Sequence, residues 1–144
     1  MVTRRNFLGP VAVVINVEAT HENGAGPARM RDGTLDRRRA LLRDAITAIV
    51  ADHGPGVDLD TVARGIGTSR RQLQRVFAEL SERSFRDTLA AVRMGHARNL
   101  LATSERPIGE IARLVGYADP AQFTKAFRHH HGMPPRQFRR TARP

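Results

Sequence analysis

Two arginines and one glutamine stand at helical spacing in a short segment of this 144-residue chain, at Arg71, Gln74 and Arg75. An α-helix turns by about 100° per residue, so it would carry these three side chains on one face. Guanidinium and amide groups offer paired hydrogen-bonding atoms that fit the edges of guanine and adenine in the major groove of DNA. The spacing therefore indicates a helix face suited to contacts with base pairs. An ordinary solvated helix face is the alternative interpretation.

The residues around this face predict a helix, a tight turn and a second helix. Gly67 is suited to the left-handed conformation that ends the first helix. Ser69 is the expected N-cap of the second helix, and Gln72 would complete a capping box three residues later. Behind the cap, apolar residues at i, i+3, i+4 and i+7 predict one buried stripe, made by Leu73, Val76, Phe77 and Leu80.

The same arrangement occurs a second time in the chain. Phe77 and Phe127, both expected in the core, are 50 positions apart. In the second copy Asp119 is the expected N-cap, Pro120 the first helical residue and Gln122 the partner in a capping box. Self-similarity at this interval predicts two copies of one structural unit.

Apolar periodicity predicts an all-α fold of about seven helices from residue 34 onward. We expect a domain over residues 34–144, with one helix-turn-helix at about 58–81 and another at about 108–131. A long linker helix would connect them. The expected helices are Leu35–His53, a short helix capped by Asp58, the helix behind Ser69, Phe85–Thr103, Ile108–Val115, Pro120–His130 and a last turn from Pro134.

Residues 1–33 have a different character. Phe7–Val17 is largely apolar, and its β-branched part could form a strand. Thr3–Leu8 resembles a twin-arginine export motif, whereas the Gly-rich, polar stretch His21–Gly33 is typical of a linker. We expect a loosely ordered N-terminal arm. An export segment and the remnant of an upstream domain are the alternatives.

The chain is strongly basic, with 24 Lys and Arg residues against 14 Asp and Glu and a formal net charge of +10. This charge predicts an anionic partner, with nucleic acid first, although a basic surface that serves solubility is an alternative. The sequence has no cysteine, which excludes disulfides, thiolate metal sites and cysteine nucleophiles. No apolar run approaches the roughly 20 residues of a membrane span. We expect neither a cofactor nor a membrane as partner.

No group of residues in the sequence predicts catalysis or a metal site. We find no nucleophile–base pair and no phosphate-binding glycine loop. His129, His130 and His131 are consecutive, so on a helix their side chains would diverge by about 100° each and could not converge on one ion. Their position near a helix C-terminus suits the helix dipole instead. Glu110 is expected to make a structural ion pair.

The second half of the chain carries three spaced motifs. The first lies on the expected linker helix, the second spans the second helix-turn-helix, and the third follows it. They are Arg93-x-x-x-Ala97-x-x-Leu100-Leu101, then Ile108-x-Glu110-Ile111-Ala112-x-x-x-Gly116-Tyr117-x-Asp119-x-x-x-Phe123-x-x-x-Phe127, and finally Gly132-x-x-Pro135-x-x-Phe138-Arg139.

Together these motifs resemble the DNA-binding domain of the AraC/XylS transcription regulators, over about residues 35–140. The resemblance implies seven helices in two helix-turn-helix subdomains joined by a long linker helix. It also implies two recognition helices that enter successive major grooves on one face of DNA. One departure is Glu82, at a position where the family often has glycine, so the turn after the first recognition helix must tolerate another residue or shift by one.

The two exposed helix faces supply the candidate DNA contacts. The first recognition helix would read bases through the three residues described first. The second face is poorer in base-reading groups and offers Ala121, Thr124 and Lys125. Arginines near both helices are expected to contact phosphates, which fix register without carrying sequence information. They are Arg70, Arg128, Arg136, Arg139 and Arg140.

These observations predict a sequence-specific transcription regulator that binds double-stranded DNA and acts in the cytoplasm, at the nucleoid. We expect an activator that binds DNA as a monomer and contacts RNA polymerase. The alternatives are a nonspecific architectural DNA-binding protein and a fragment of a longer, ligand-responsive regulator. We expect no enzyme, because a DNA-repair methyl acceptor, which carries this module in some proteins, needs a cysteine thiolate that the chain lacks.

Overall fold

The computed structural model of this protein describes residues 29–143, and every regular element within that range is an α-helix. The all-α prediction is confirmed. The predictions made for residues 1–28 lie outside the described residues. The seven helices are α1 (Arg29–Ala51), α2 (Leu59–Gly65), α3 (Arg70–Leu80), α4 (Phe85–Thr103), α5 (Ile108–Leu114), α6 (Pro120–His131) and α7 (Pro135–Ala142).

Two hydrophobic cores lie along one helix, α4. Its first half closes a core with α1, α2 and α3, in which Val92 is the last buried α4 residue. Its second half begins a separate core with α5, α6 and α7 at Met94. Burying one large apolar side chain stabilises a fold by about 1.5–3 kcal/mol. Each core contains a fully buried phenylalanine, which is Phe77 of α3 in the first core and Phe127 of α6 in the second.

Helix α1 begins earlier than the sequence pattern predicted. We expected a linker to Gly33 and a helix from Leu35, whereas the helix starts at Arg29 and runs through Gly33. A glycine inside a helix costs only about 1 kcal/mol relative to alanine. Adding turns to an existing helix is also far cheaper than nucleating one. The expected boundary between residues 33 and 34 therefore falls inside a helix.

The turn before α3 follows the prediction at its glycine and its cap. Gly67 has φ 77°, and the Ser69 hydroxyl accepts a hydrogen bond of 3.1 Å from the Gln72 backbone N–H. The predicted capping box is wrong in its second half, because the Gln72 side-chain oxygen accepts from the Thr68 hydroxyl at 2.8 Å. The competing hydroxyl one residue before the cap explains the difference.

The capping boxes are distributed differently from the prediction. Asp58 and Thr61 form a complete box at the start of α2, with bonds of 2.8 and 2.9 Å. The bond from the Thr61 backbone N–H also lowers the pKa of the Asp58 carboxyl. Asp119 caps α6 as predicted, but it accepts from Ala121 N–H at 2.9 Å, so the expected box with Gln122 is wrong.

The two recognition helices end in different ways. α6 ends at Gly132, whose φ of 77° is left-handed and whose N–H donates to Arg128 O at 2.8 Å. α3 instead ends at Leu80, and Ser81 follows it in an extended conformation. Glu82 therefore follows an extended residue, Ser81, at the position where α6 has the left-handed Gly132.

Candidate nucleic-acid interface

Helix α3 has one fully buried side and one solvent-exposed side. Leu73, Val76 and Phe77 are buried against the first core. Arg71, Gln74 and Arg75 are all exposed, on the opposite side of the helix. The structure therefore brings the three predicted base-reading residues together on one accessible face. α3 is held against α1 by this core and by an ion pair between Arg38 and Glu79.

Arg70, the first residue of α3, is also exposed but has a partner. Its guanidinium lies 3.3 Å from the Asp60 carboxylate on α2. An exposed pair of this kind contributes about 0–1 kcal/mol, because solvent screens the charges and the side chains lose freedom. Arg70 therefore retains a side chain that can leave Asp60 for a phosphate at small cost.

Helix α6 presents a second accessible face with weaker chemistry. Phe123 and Phe127 are buried, and Ala121, Lys125 and Arg128 are exposed. Thr124, a predicted base-reading residue, is half-buried, which limits what its hydroxyl can reach.

Gln122 is an exposed amide on α6 that the sequence pattern had assigned to a cap. The Asp119 carboxylate takes the Ala121 N–H instead, so the cap does not require the Gln122 amide. Gln122 therefore joins the candidates for base contact.

The arginines of α7 fall into two groups. Arg136 and Arg140 are exposed. Arg139 is half-buried, and its guanidinium donates to Arg106 O at 2.6 Å and to Leu101 O at 3.4 Å. These carbonyls lie at and beyond the C-terminal end of α4, where a cation is favourable. Arg139 thus fastens α7 to α4, a role that the sequence pattern did not reveal.

The three consecutive histidines do not share a direction. His129 and His130 are exposed, whereas His131 turns inward, with Nε2 3.1 Å from Met94 O. The His131 ring packs on Phe127 with centroids 4.5 Å apart. Burial lowers the pKa of His131 below the ordinary histidine value. Over residues 29–143, no three metal-ligating side chains form a group that could hold an ion.

Glu110 forms an ion pair with Arg106, four residues earlier and just before α5, which confirms the predicted ion pair. The pair lies at the start of α5, where an acidic side chain is also favoured by the helix dipole. None of the described helices is long and apolar enough to span a bilayer.

Comparisons with known proteins identify similar domains. Residues 62–141 match a family model described as a helix-turn-helix domain. The chain is 33% identical over 124 residues to the HTH-type transcriptional regulator GlxA of Rhizobium meliloti, covering 83% of this chain and 38% of that protein. It is 31% identical over 112 residues to the HTH-type transcriptional activator RhaR of Klebsiella pneumoniae, covering 78% of this chain and 40% of that protein. The chain thus spans well under half the length of these relatives.

Two solved structures show the same architecture. A transcriptional regulator of Chromobacterium violaceum with an AraC-type DNA-binding domain superposes with a TM-score of 0.68 at 26% identity, covering 72% of this chain and 93% of that one. The DNA-binding domain of the global transcriptional factor AdpA, solved with a target DNA, superposes with a TM-score of 0.60 at 26% identity, covering 72% of this chain and 90% of that one.

Proposed function

Because this chain belongs to the AraC-type helix-turn-helix transcription regulators, we propose that it reads base sequence by placing α3 and α6 in two successive major grooves. The observation that carries the proposal is the exposed face of α3. Two arginines and one glutamine stand there opposite a fully buried stripe, on a helix held at both ends by turns. These side chains match guanine and adenine edges in the major groove.

The second recognition helix contributes less discrimination. Among its exposed side chains, Lys125 and Gln122 carry donors suited to base edges, whereas Ala121 can make only an apolar contact. Thr124 is half-buried. We therefore assign the stronger base preference to the half-site under α3.

The phosphate contacts come from exposed arginines at the edges of both helices. Such contacts supply affinity and fix register without reading sequence. We leave Arg139 out of this group, because its Nε and Nη2 donate to backbone carbonyls at and beyond the end of α4. The proposed phosphate contacts are Arg70, Arg128, Arg136 and Arg140.

Two recognition helices in one chain can cover two groove segments about 34 Å apart, a geometry that otherwise needs a dimer. We propose a monomer on an asymmetric site. RhaR is an activator, and we propose activation through RNA polymerase, at the nucleoid in the cytoplasm, for this protein too. A second candidate is that this domain serves within a longer, ligand-responsive regulator. The short share of each relative that it spans is compatible with that candidate.

Selection of bound sequences from random DNA tests the proposal, followed by competition between the selected site and random DNA. We expect the selected site to bind about 10³-fold or more tighter. Arg71→Ala should lower this ratio. Arg37→Ala removes the same charge from an exposed position on α1 and should leave the ratio unchanged. A selection that enriches no sequence would identify a nonspecific architectural protein and overturn the proposal.

A further inference from the structure

Helix α4 belongs to both cores, so its attachment to α1 decides how one recognition helix stands relative to the other. We propose that Arg93, in the middle of α4, is the positioning residue that fixes this relation and thereby sets the spacing between the two DNA half-sites. The inference rests on the proposed function and adds a specificity determinant that does not itself touch DNA. We call its contacts with His53, Gly54, Gly116 and Tyr117 the Arg93 bridge.

The Arg93 bridge holds the first unit through two backbone carbonyls. Arg93 Nε donates to His53 O at 2.8 Å, and Nη2 donates to Gly54 O at 2.6 Å. Both carbonyls lie just beyond the end of α1, where the helix dipole favours a cation. Two donors on one planar group fix orientation as well as distance.

The other side of the same guanidinium contacts the second unit. It lies 5.9 Å from the centroid of the Tyr117 ring, within cation–π range. A Cβ added to Gly116 would stand 2.7 Å from Arg93 Cζ, so the turn between α5 and α6 lies directly against the guanidinium. Tyr117 in turn packs on Phe123 of α6, with ring centroids 5.8 Å apart. One side chain therefore connects the end of α1 to the second recognition helix.

A second arginine provides an internal comparison. Arg143 lies 50 residues after Arg93 and donates to the carbonyl of Ser104, which lies 50 residues after Gly54. The second structural unit therefore repeats the arginine-to-carbonyl contact of the first. Arg143 fastens the last described residue to the end of α4, through Ser104 and Glu105 of the second unit. Its loss should weaken that unit without changing the angle between α3 and α6.

The orientation has a measurable consequence on DNA. Inserting one base pair between two half-sites moves them apart by about 3.4 Å and rotates one by about 35° about the DNA axis. A rigid pair of recognition helices cannot follow both changes, so it binds one spacing. A pair of recognition helices that is held less rigidly loses some affinity at that spacing. It loses less additional affinity when the spacing is one base pair longer or shorter.

The test uses the site selected from random DNA and two derivatives with one base pair inserted or deleted between the half-sites. We expect the wild-type protein to bind both derivatives about tenfold or more weakly than the selected site. Arg93→Ala should reduce this difference to about threefold or less. Arg143→Ala should keep the full wild-type difference. Circular dichroism and thermal unfolding establish that each variant is folded.

Arg93→Lys keeps the charge and most of the side-chain packing but loses the two-donor geometry. If Arg93→Ala does not fold, Arg93→Lys replaces it. Its affinity ratio between the selected site and the two derivatives should then lie between the wild-type ratio and a ratio of 1. Variants that lose affinity by the same factor on all three spacings would overturn the inference and leave the proposed function intact. A wild-type protein that prefers no sequence would instead overturn the proposed function.

Discussion

His53 Nε2 and His96 Nδ1 lie 2.8 Å apart, so a hydrogen bond between the two rings joins the segment after α1 to the middle of α4, beside the two bonds that Arg93 donates there. One of these two nitrogens must donate and the other accept. His53 also places Nδ1 3.1 Å from Ile49 O, a geometry that makes Nδ1 the donor there and leaves Nε2 to accept from His96. Protonation of His96 would place a positive charge on a half-buried ring that lies against His53.

We therefore predict that the free energy of unfolding falls as the pH decreases below about 6.5. Burial, and secondarily His53, lower the pKa of His96, and burial lowers the pKa of His131. With folded-state pKa values below the unfolded value, the unfolded chain binds more protons, so stability rises with pH in this range. Urea unfolding between pH 7.5 and 5.5 measures the slope. His96→Gln should flatten it relative to the wild type, and an unchanged slope would contradict the account.

Two left-handed glycines allow a matched test of the close contact at Arg93. Gly67 has φ 77° and nothing within 4 Å of an added Cβ, whereas Gly116 has φ 95° and a Cβ there would stand 2.7 Å from Arg93. Gly67→Ala should lower the free energy of unfolding by about 1–2 kcal/mol through backbone strain alone. Gly116→Ala should cost more, because the guanidinium must also move from its carbonyls. Equal losses in urea unfolding would show that the Gly116 contact is unimportant.

Arg75→Ala should weaken binding to the selected site by about 1–3 kcal/mol and relax the preference at one base pair. The cause is the loss of donors to a base edge. Arg140→Ala is the control, since removal of a phosphate contact should weaken binding on all sequences alike. Equilibrium titration on the selected site and on random DNA separates the two. An equal loss on both DNAs for Arg75→Ala would exclude base reading by this residue.

Arg136 and Arg139 should behave differently although they share helix α7. Arg136→Ala should reduce the slope of log affinity against log salt by about 1, because one phosphate contact is lost. Arg139→Ala should lower the unfolding temperature and leave that slope unchanged, because its donors bind carbonyls near the end of α4. Titrations at four salt concentrations decide between these outcomes. A reduced salt slope for Arg139→Ala would return this residue to the phosphate contacts.

Local features of the fold could be predicted from the sequence because they depend on neighbouring residues. The buried stripe of α3, the left-handed Gly67 and the Asp119 cap each involve residues within one or two turns. The start of α1 could not be predicted as well, since Gly33 is a weak terminator inside a long helix.

The candidate site was predictable only in part for a related reason. The exposure of Arg71, Gln74 and Arg75 follows from the helical period, whereas the engagement of Arg139 depends on carbonyls more than 30 residues away in sequence. The motif that contains Arg93 predicts no role for this residue. Its contacts are the segment after α1 and the α5–α6 turn, which are both distant from it in sequence. Contacts between distant segments require the packed structure.

In the proposed complex one chain reads two groove segments, and α3 reads its segment more strongly. A binding profile in which every base pair of the selected site is substituted singly, with the mass of the complex determined alongside, measures both features. We predict two clusters of sensitive base pairs about one helical turn apart, unequal in strength, and one protein per site. A palindromic profile from two bound proteins, or equal sensitivity at all positions, would exclude this mode of binding.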